Sequence, residues 1–224
     1  WLALASGIAR EHVAQAPHSI LIPEQSFCEQ TWLEYVKHCV ATYGHCVVVA
    51  SEGITDAEGH AIVAQSRTDA FGHQQLGGVG AHLANLVSSK AGLKAHWALP
   101  DYLQRSAGHL RSATDVACAE QLGSSAVDAL LSGQKGVMLA LCRQQGSDAP
   151  SWTVSTIDLS RCANLEKTCP AGFIDPTTSM LSASAKDYLR PLISGEHFPA
   201  FDRGVIDYFD RRVLQLVQQP EVTE

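Results

Sequence analysis

Hydrophobic residues recur along the chain in two alternating patterns, a helical spacing near 3.6 and short unbroken apolar runs. This alternation predicts an α/β architecture with a mostly parallel sheet. His18–Ile22 reads as a short buried strand closed by Pro23 and Glu24. Phe27, Trp32, Leu33, Val36 and Val40 then follow at helical spacing until Gly44 supplies a stop. His45–Ala50 is the strongest strand signal, a run too apolar to face water on either side, and it ends in Ser51-Glu52-Gly53. Thr55–Gly80 has little apolar period and reads as a long loop. A helix is predicted over Val79–Ser89 through Leu83, Leu86 and Val87, and a strand over Leu93–Leu99, stopped by Pro100. Ser112 and Asp115 are cap-type residues opening a helix with a narrow small-residue face made by Ala117, Cys118, Ser125, Ala126 and Ala129. Gly136–Cys142 and Trp152–Ile157 read as buried strands joined by a hairpin, and Ala183–Leu192 and Val205–Val217 as helices. No internal repeat and no linker divides the chain.

Composition narrows the function classes. At 24.0 kDa, 46% hydrophobic and 17% charged, with mean hydropathy −0.01, the chain is ordinary globular protein with room for a sizeable core. Sixteen Lys and Arg against 23 Asp and Glu give a net charge of −7, which argues against a nucleic-acid-coating surface while leaving single Arg clamps for phosphate. No stretch approaches the roughly 20 apolar residues that span a bilayer. Seven cysteines without a CxxC pair predict reduced thiols in a cytoplasmic protein, and ten histidines without HExxH predict no metal site of their own. The chain opens on Trp1 and runs directly into Leu2–Ala9, as if entered in mid-helix, with no basic residue ahead of it to mark a secretory leader.

Three places offer chemistry. Glu52 emerges at the carboxyl end of a predicted strand, where open α/β sheets bind ligands; the plain alternative is a surface residue. Tyr102 and Arg105 stand three apart, so a planar guanidinium suited to a phosphate monoester sits beside a phenol; the alternative is a surface salt bridge. The third is the loop holding Asp69, Phe71, Gly72 and His73. Gly77-Gly78-Val79-Gly80 enters a helix without the Lys-Ser/Thr of a P-loop or the spacing of a dinucleotide fingerprint, and reads as either a phosphate seat or a flexible helix entry. No nucleophile elbow or catalytic triad can be assembled from local spacing.

Taken in order, these segments resemble the C-terminal half of the phosphofructokinase family. Trp1-Leu2-Ala3-Leu4 is similar to the helix after the family's Met-Gly-Arg sugar-binding segment. Leu21–Glu24 resembles its Pro-Glu strand end, and Val47–Gly53 the strand bearing its substrate-binding Glu. Leu99–Arg105, His109–Asp115, Gly123–Val127, Ala163–Lys167 and Tyr188–Ile193 extend the match over nearly the whole chain. Tyr102, Gln104-Arg105-Ser106, Ala163-Asn164 and Pro191-Leu192-Ile193 resemble the bacterial pyrophosphate-dependent branch.

The resemblance implies a parallel-sheet, three-layer phosphofructokinase-like fold. Residues 1–224 would form its C-terminal part with most of the sugar-phosphate lobe, the N-terminal phosphoryl-donor part being absent and this chain alone inactive. It implies transfer of phosphoryl from pyrophosphate to the 1-hydroxyl of fructose 6-phosphate, with Mg²⁺, as a reversible glycolytic step in a cytoplasmic homodimer. It further implies that Glu52 binds sugar hydroxyls and that Tyr102 and Arg105 bind fructose 6-phosphate. The family's base, the Asp of a Thr-Ile-Asp segment, and its Gly-Gly-Asp metal and pyrophosphate segments lie earlier in the family's chain. No base and no metal ligand is therefore assigned here. Two positions depart from the pattern: Asp101 stands where the family generally has Gly, and His96 where it commonly has Arg, with Lys94 nearby as a second cation. A carboxylate beside the phosphate site weakens binding by about 1 kcal/mol when solvated. The other readings are an ATP-dependent member and a non-catalytic sugar-phosphate-sensing subunit, the latter motivated by Asp101 and His96.

Overall fold

The computed structural model describes residues 1–68, 74–144 and 151–208. Its helices are α1 (Leu2–Ala5), α2 (Glu29–Tyr43), α3 (Val79–Leu86), α4 (Leu103–Ser106), α5 (Ala113–Leu131) and α6 (Ala183–Leu189). The strands are β1 (Ser19–Leu21), β2 (Val48–Ala50), β3 (Ala64–Thr68), β4 (Gln74–Leu76), β5 (Arg111–Ser112), β6 (Val137–Arg143), β7 (Trp152–Asp158), β8 (Glu196–His197), β9 (Phe201–Asp202) and β10 (Val205–Ile206).

Helix α2 buries Trp32, Leu33, Val36 and Cys39 along one stripe, as the spacing predicts. It ends where Gly44, at φ 79°, turns left-handed and donates its N–H to the Val40 carbonyl at 2.9 Å. Ser112 caps α5 by accepting the Asp115 N–H at 3.0 Å, and Ser182 caps α6 through Ala185 at 3.2 Å.

Strands β1 and β2 form a parallel pair with Leu21 opposite Ala50. Because successive side chains of a strand point to opposite faces, β1 feeds two cores. Ile20 and Ile22 pack with Leu4 of α1, Ala185 and Leu189 of α6, Cys169, Ile174 and Leu181. On the other face, Leu21, Val48 and Ala50 pack against Trp32, Leu33 and Val36 of α2, Val79, Leu83 and Leu86 of α3, and Ile54. Helices therefore cover both faces of the parallel pair, giving three layers and an α/β fold. Arg10, 1% exposed, ties the first core together by donating to the carbonyls of Val13 (2.8 Å), His18 (3.1 Å) and Thr178 (2.6 Å).

Several expectations are corrected. The ladders β3–β4, β5–β8 and β9–β10 are antiparallel two-stranded pairs, and so is β6–β7, which is the hairpin that the sequence predicts. The His45–Ala50 strand shrinks to Val48–Ala50 and is only half-buried, because on one edge it has no described partner. The loop predicted over Thr55–Gly80 contains β3 and β4. Leu93–Leu99 joins no ladder of the described residues: Leu93 and Ala95 pack inward while Lys94 and His96 are exposed. Strand β6 is a mixture of half-buried and exposed residues instead of being buried, with α5 packed against it. Val205 and Ile206 pair with Asp202 and Phe201 rather than opening a helix. Arg203 (φ 48°) and Gly204 (φ 85°) form the left-handed two-residue turn that a tight hairpin requires. The rest of the helix predicted over 205–217, from 209 on, lies outside the described residues. Among the described residues no helix is long and apolar enough to cross a membrane.

Candidate functional site

The carboxyl edge of the β1–β2 pair is where the chain gathers acidic groups. Leu21 and Ala50 are in register, Glu24 follows the first by three residues and Glu52 the second by two, so both emerge at one end of the sheet. Glu52 is half-buried in a turn that Ser51 closes by accepting the Gly53 N–H at 3.4 Å. Beyond it, Ile54 is 1% exposed in the second core, and the Thr55 carbonyl accepts the Phe27 N–H at 2.7 Å, so the turn is held from both sides. Glu24 accepts the Cys169 N–H at 2.7 Å. Burial, the largest single influence, opposes ionisation of Glu24, but the Cys169 amide, the residue's own N–H, the Cys169 thiol and the chain's amino terminus together outweigh it, and the carboxyl sits below its ordinary pKa.

Tyr102 and Arg105 are brought together by the single turn of α4, in which the Arg105 N–H reaches the Tyr102 carbonyl at 2.9 Å. The guanidinium carbon lies 5.6 Å from the Tyr102 ring centroid, a cation–π contact that orients the fork without consuming its donors. Both side chains are exposed, and no carboxylate of the described residues lies within ion-pair distance of Arg105. Asp101, just before them, is held at φ 44°. The stretch leading into this turn is seated on the second core by Leu93 and Ala95. Trp97 lies so close to Gly80 that a β-carbon there would stand 3.4 Å from the indole. The turn carrying Glu52 and the approach to Arg105 thus share one core, through Ile54 on one side and Leu93 on the other; direct contact is made only between Tyr102 and Arg105.

The glycine run has a structural explanation. Gly78 (φ 85°) caps α3 in a left-handed conformation with its carbonyl accepting the His82 N–H at 2.9 Å, and Gly80 makes room for Trp97. Asp69, Phe71, Gly72 and His73 lie outside the described residues. The letters Thr-Ile-Asp do occur at residues 156–158, where Asp158 ends β7 and accepts the Ser160 N–H (2.8 Å) and hydroxyl (2.6 Å), so it works there as a cap. Sequence reasoning missed the Glu24–Cys169 tie, whose partners are 145 residues apart and leave no local signal.

Magnesium asks for carboxylates, phosphate oxygens and water in near-octahedral array. Among the described residues no group of three or more His, Cys, Asp or Glu side chains is arranged to hold a metal ion, so these residues do not by themselves fit one. A cavity of about 380 Å³ is lined by Thr114, Cys118, Gln121, Trp152, Pro191 and Ser194, among others. It includes neither a cationic side chain nor any of Glu52, Tyr102 and Arg105, which separates it from a sugar-phosphate site.

Residues 1–130 match the family model described as Phosphofructokinase. The chain is 44% identical over 198 residues to the pyrophosphate--fructose 6-phosphate 1-phosphotransferase of Xanthomonas campestris, covering 88% of this chain and 47% of that protein. It is 40% identical over 209 residues to the protein of the same name from Methylococcus capsulatus, covering 93% and 49%. Among solved structures it resembles the pyrophosphate-dependent phosphofructokinase from Marinobacter aquaeolei with a TM-score of 0.77 at 39% identity, over 92% of this chain and 48% of the other. The chain spans about half the length of the curated relatives it matches.

Proposed function

The chain belongs to the phosphofructokinase family, and on that premise we propose that the complete protein moves a phosphoryl group from pyrophosphate to the 1-hydroxyl of fructose 6-phosphate, yielding fructose 1,6-bisphosphate and phosphate. Residues 1–224 supply the C-terminal part and most of its sugar-phosphate side. The observation that supports this reading is the 40–44% identity to the two transferases named above, together with an exposed Tyr102–Arg105 pair. Arg105 offers its fork to the 6-phosphate dianion, with the Tyr102 hydroxyl as a neighbouring donor. Glu52 accepts hydrogen bonds from sugar hydroxyls and fixes the ring. These are positioning roles, and positioning with charge stabilisation is most of what phosphoryl transfer demands. Mg²⁺ would supply charge neutralisation for the pyrophosphate; its ligands and the general base are assigned to a part of the protein other than the residues described here. The enzyme is further proposed to be a homodimer working in the cytoplasm, a setting that the seven free cysteines suit.

The test uses the complete protein with pyrophosphate and, separately, ATP. Turnover with ATP alone replaces the donor assignment, and fructose 6-phosphate binding without turnover on either donor replaces the enzyme by a sensing subunit. Arg105→Ala raises the KM for fructose 6-phosphate roughly 10- to 100-fold, the worth of a charge-assisted hydrogen bond, and leaves the pyrophosphate KM nearly unchanged. Unaltered sugar kinetics would remove Arg105 from the site.

A further inference from the structure

Three segments far apart in sequence, each within a stretch that carries the family resemblance, meet in one cluster that the site above does not use. The Trp1 indole N–H donates to the Lys167 carbonyl at 2.6 Å, and the Lys167 ammonium donates to the Tyr188 hydroxyl at 2.7 Å. The same ammonium lies 5.4 Å from the Trp1 ring centroid and 5.1 Å from that of Tyr188, and the two rings stand 5.4 Å apart. Lys167 is thus fixed by two aromatic faces and a hydroxyl. Two residues on, Cys169 is buried against Ile22 in the first core, and its N–H donates to the Glu24 carboxylate. The segment Lys167–Cys169 is therefore fastened at one end to the start of α1 and at the other to Glu24, three residues past the end of β1.

That second anchor lies at the edge where Glu52 emerges. In register, β1 and β2 bring two carboxylates to one end of the sheet, with strands separated by about 4.8 Å. One of them, Glu24, is turned onto the Cys169 amide and held there. Once it is released, the end of β1 would lose its tie, and with it the Leu21 carbonyl that accepts the Ser51 N–H at 2.9 Å directly before Glu52.

We propose that Lys167–Cys169 is a clasp on the carboxyl edge of the β1–β2 pair, with Lys167, Tyr188 and Glu24 as positioning residues for Glu52. This rests on the reading of Glu52 as an acceptor for sugar hydroxyls. The experiment measures, in the complete protein, fructose 6-phosphate binding by calorimetry together with KM for both substrates, kcat and the thermal midpoint. Lys167→Met and Glu24→Ala are expected to raise the fructose 6-phosphate KM and Kd about tenfold while pyrophosphate KM and kcat stay within about twofold. Lys167→Arg keeps the cation over both rings, and Glu24→Gln keeps an acceptor for the Cys169 amide, so both are expected to remain near the parent. Sugar affinity equal to the parent in Lys167→Met and Glu24→Ala overturns the clasp and leaves the functional reading standing. A lowered thermal midpoint with both KM values and kcat moving together, unrescued by the conservative variants, overturns it as well and leaves a structural staple. Absence of fructose 6-phosphate binding in the unaltered protein overturns the functional reading itself, and the clasp with it.

Discussion

A single backbone angle accounts for one departure of this chain from the family pattern. Asp101 has φ 44°, in the left-handed region where a β-carbon meets the following carbonyl. Glycine enters that region freely, as the glycine expected there from the family resemblance would, and Asp and Asn are the side chains that tolerate it best after glycine. The residue thus satisfies the turn that launches α4 while placing a carboxylate next to Tyr102 and Arg105. The two effects separate by substitution. Asp101→Asn keeps the tolerance and removes the charge, so stability stays within about 0.5 kcal/mol while the fructose 6-phosphate KM falls up to about fivefold, the equivalent of ~1 kcal/mol. Asp101→Ala removes the charge equally but costs about 1 kcal/mol in unfolding free energy. Parallel steady-state kinetics and urea titrations of the two variants check this, and an unchanged KM in both would show that the carboxylate faces away from the phosphate.

Helices were the legible elements because their signals are local: the stripe of Trp32, Leu33 and Val36, the stop at Gly44 and the Ser112 cap all lie within a few residues of what they control. The same holds for Tyr102 and Arg105, whose spacing of three is one helical turn, and for Glu52, placed by the strand before it. Strand signals report which way side chains point, not whether a partner exists. Leu93, Lys94, Ala95 and His96 alternate inward and outward as the sequence implies, yet no strand of the described residues pairs with them. Conversely, Ala64–Thr68 and Gln74–Leu76 pair although their residues show no apolar alternation. Contacts between distant elements leave the faintest trace, as at Gly7. A β-carbon there would stand 2.8 Å from Leu181 Cγ and 2.9 Å from Ile20 Cδ1, so the glycine is what lets the 3₁₀ turn Ser6–Ala9 close onto β1. Gly7→Ala is expected to destabilise by about 1–3 kcal/mol through overpacking. Gly123→Ala, on α5 with nothing within 4 Å, is expected to stabilise by up to about 1 kcal/mol. Opposite shifts of the urea midpoint are the expected result; a Gly7→Ala midpoint equal to the parent would mean that the first core yields at this contact.

Over the whole molecule, the dependence of stability on pH follows from groups that folding holds in one protonation state. His18 is fully buried, its Nδ1 accepts the Val47 N–H at 3.1 Å, and its ring stacks on Tyr43 at 5.5 Å. Burial first, then His45, disfavours the imidazolium; the Ala14 carbonyl opposes them and Arg10 adds to them, so the pKa lies below the ordinary 6.5. The unfolded chain binds that proton at higher pH than the folded one. His18 therefore contributes stability that is fully present above pH 6.5 and is lost as pH falls towards the lower folded value. Glu24, where burial is outweighed by the Cys169 amide together with further hydrogen bonds and the amino terminus, and Asp158 and Asp175, each held by local hydrogen bonds, are also depressed, from 4.5 and 3.8. Their contributions are present above those values and vanish only in stronger acid. Acid is thus expected to act in two stages, His18 in the first and the carboxylates in the second. Below pH 6.5 the His18 share falls with a slope that stays under the one-proton limit of about 1.4 kcal/mol per pH unit. His18→Asn retains an acceptor for the Val47 amide but cannot titrate, so the complete protein carrying it should be less stable at pH 8 yet show a flatter first stage. Urea titrations from pH 8 to 4 on both proteins provide the comparison, and equal slopes between pH 6.5 and 5 would assign the first stage to another group.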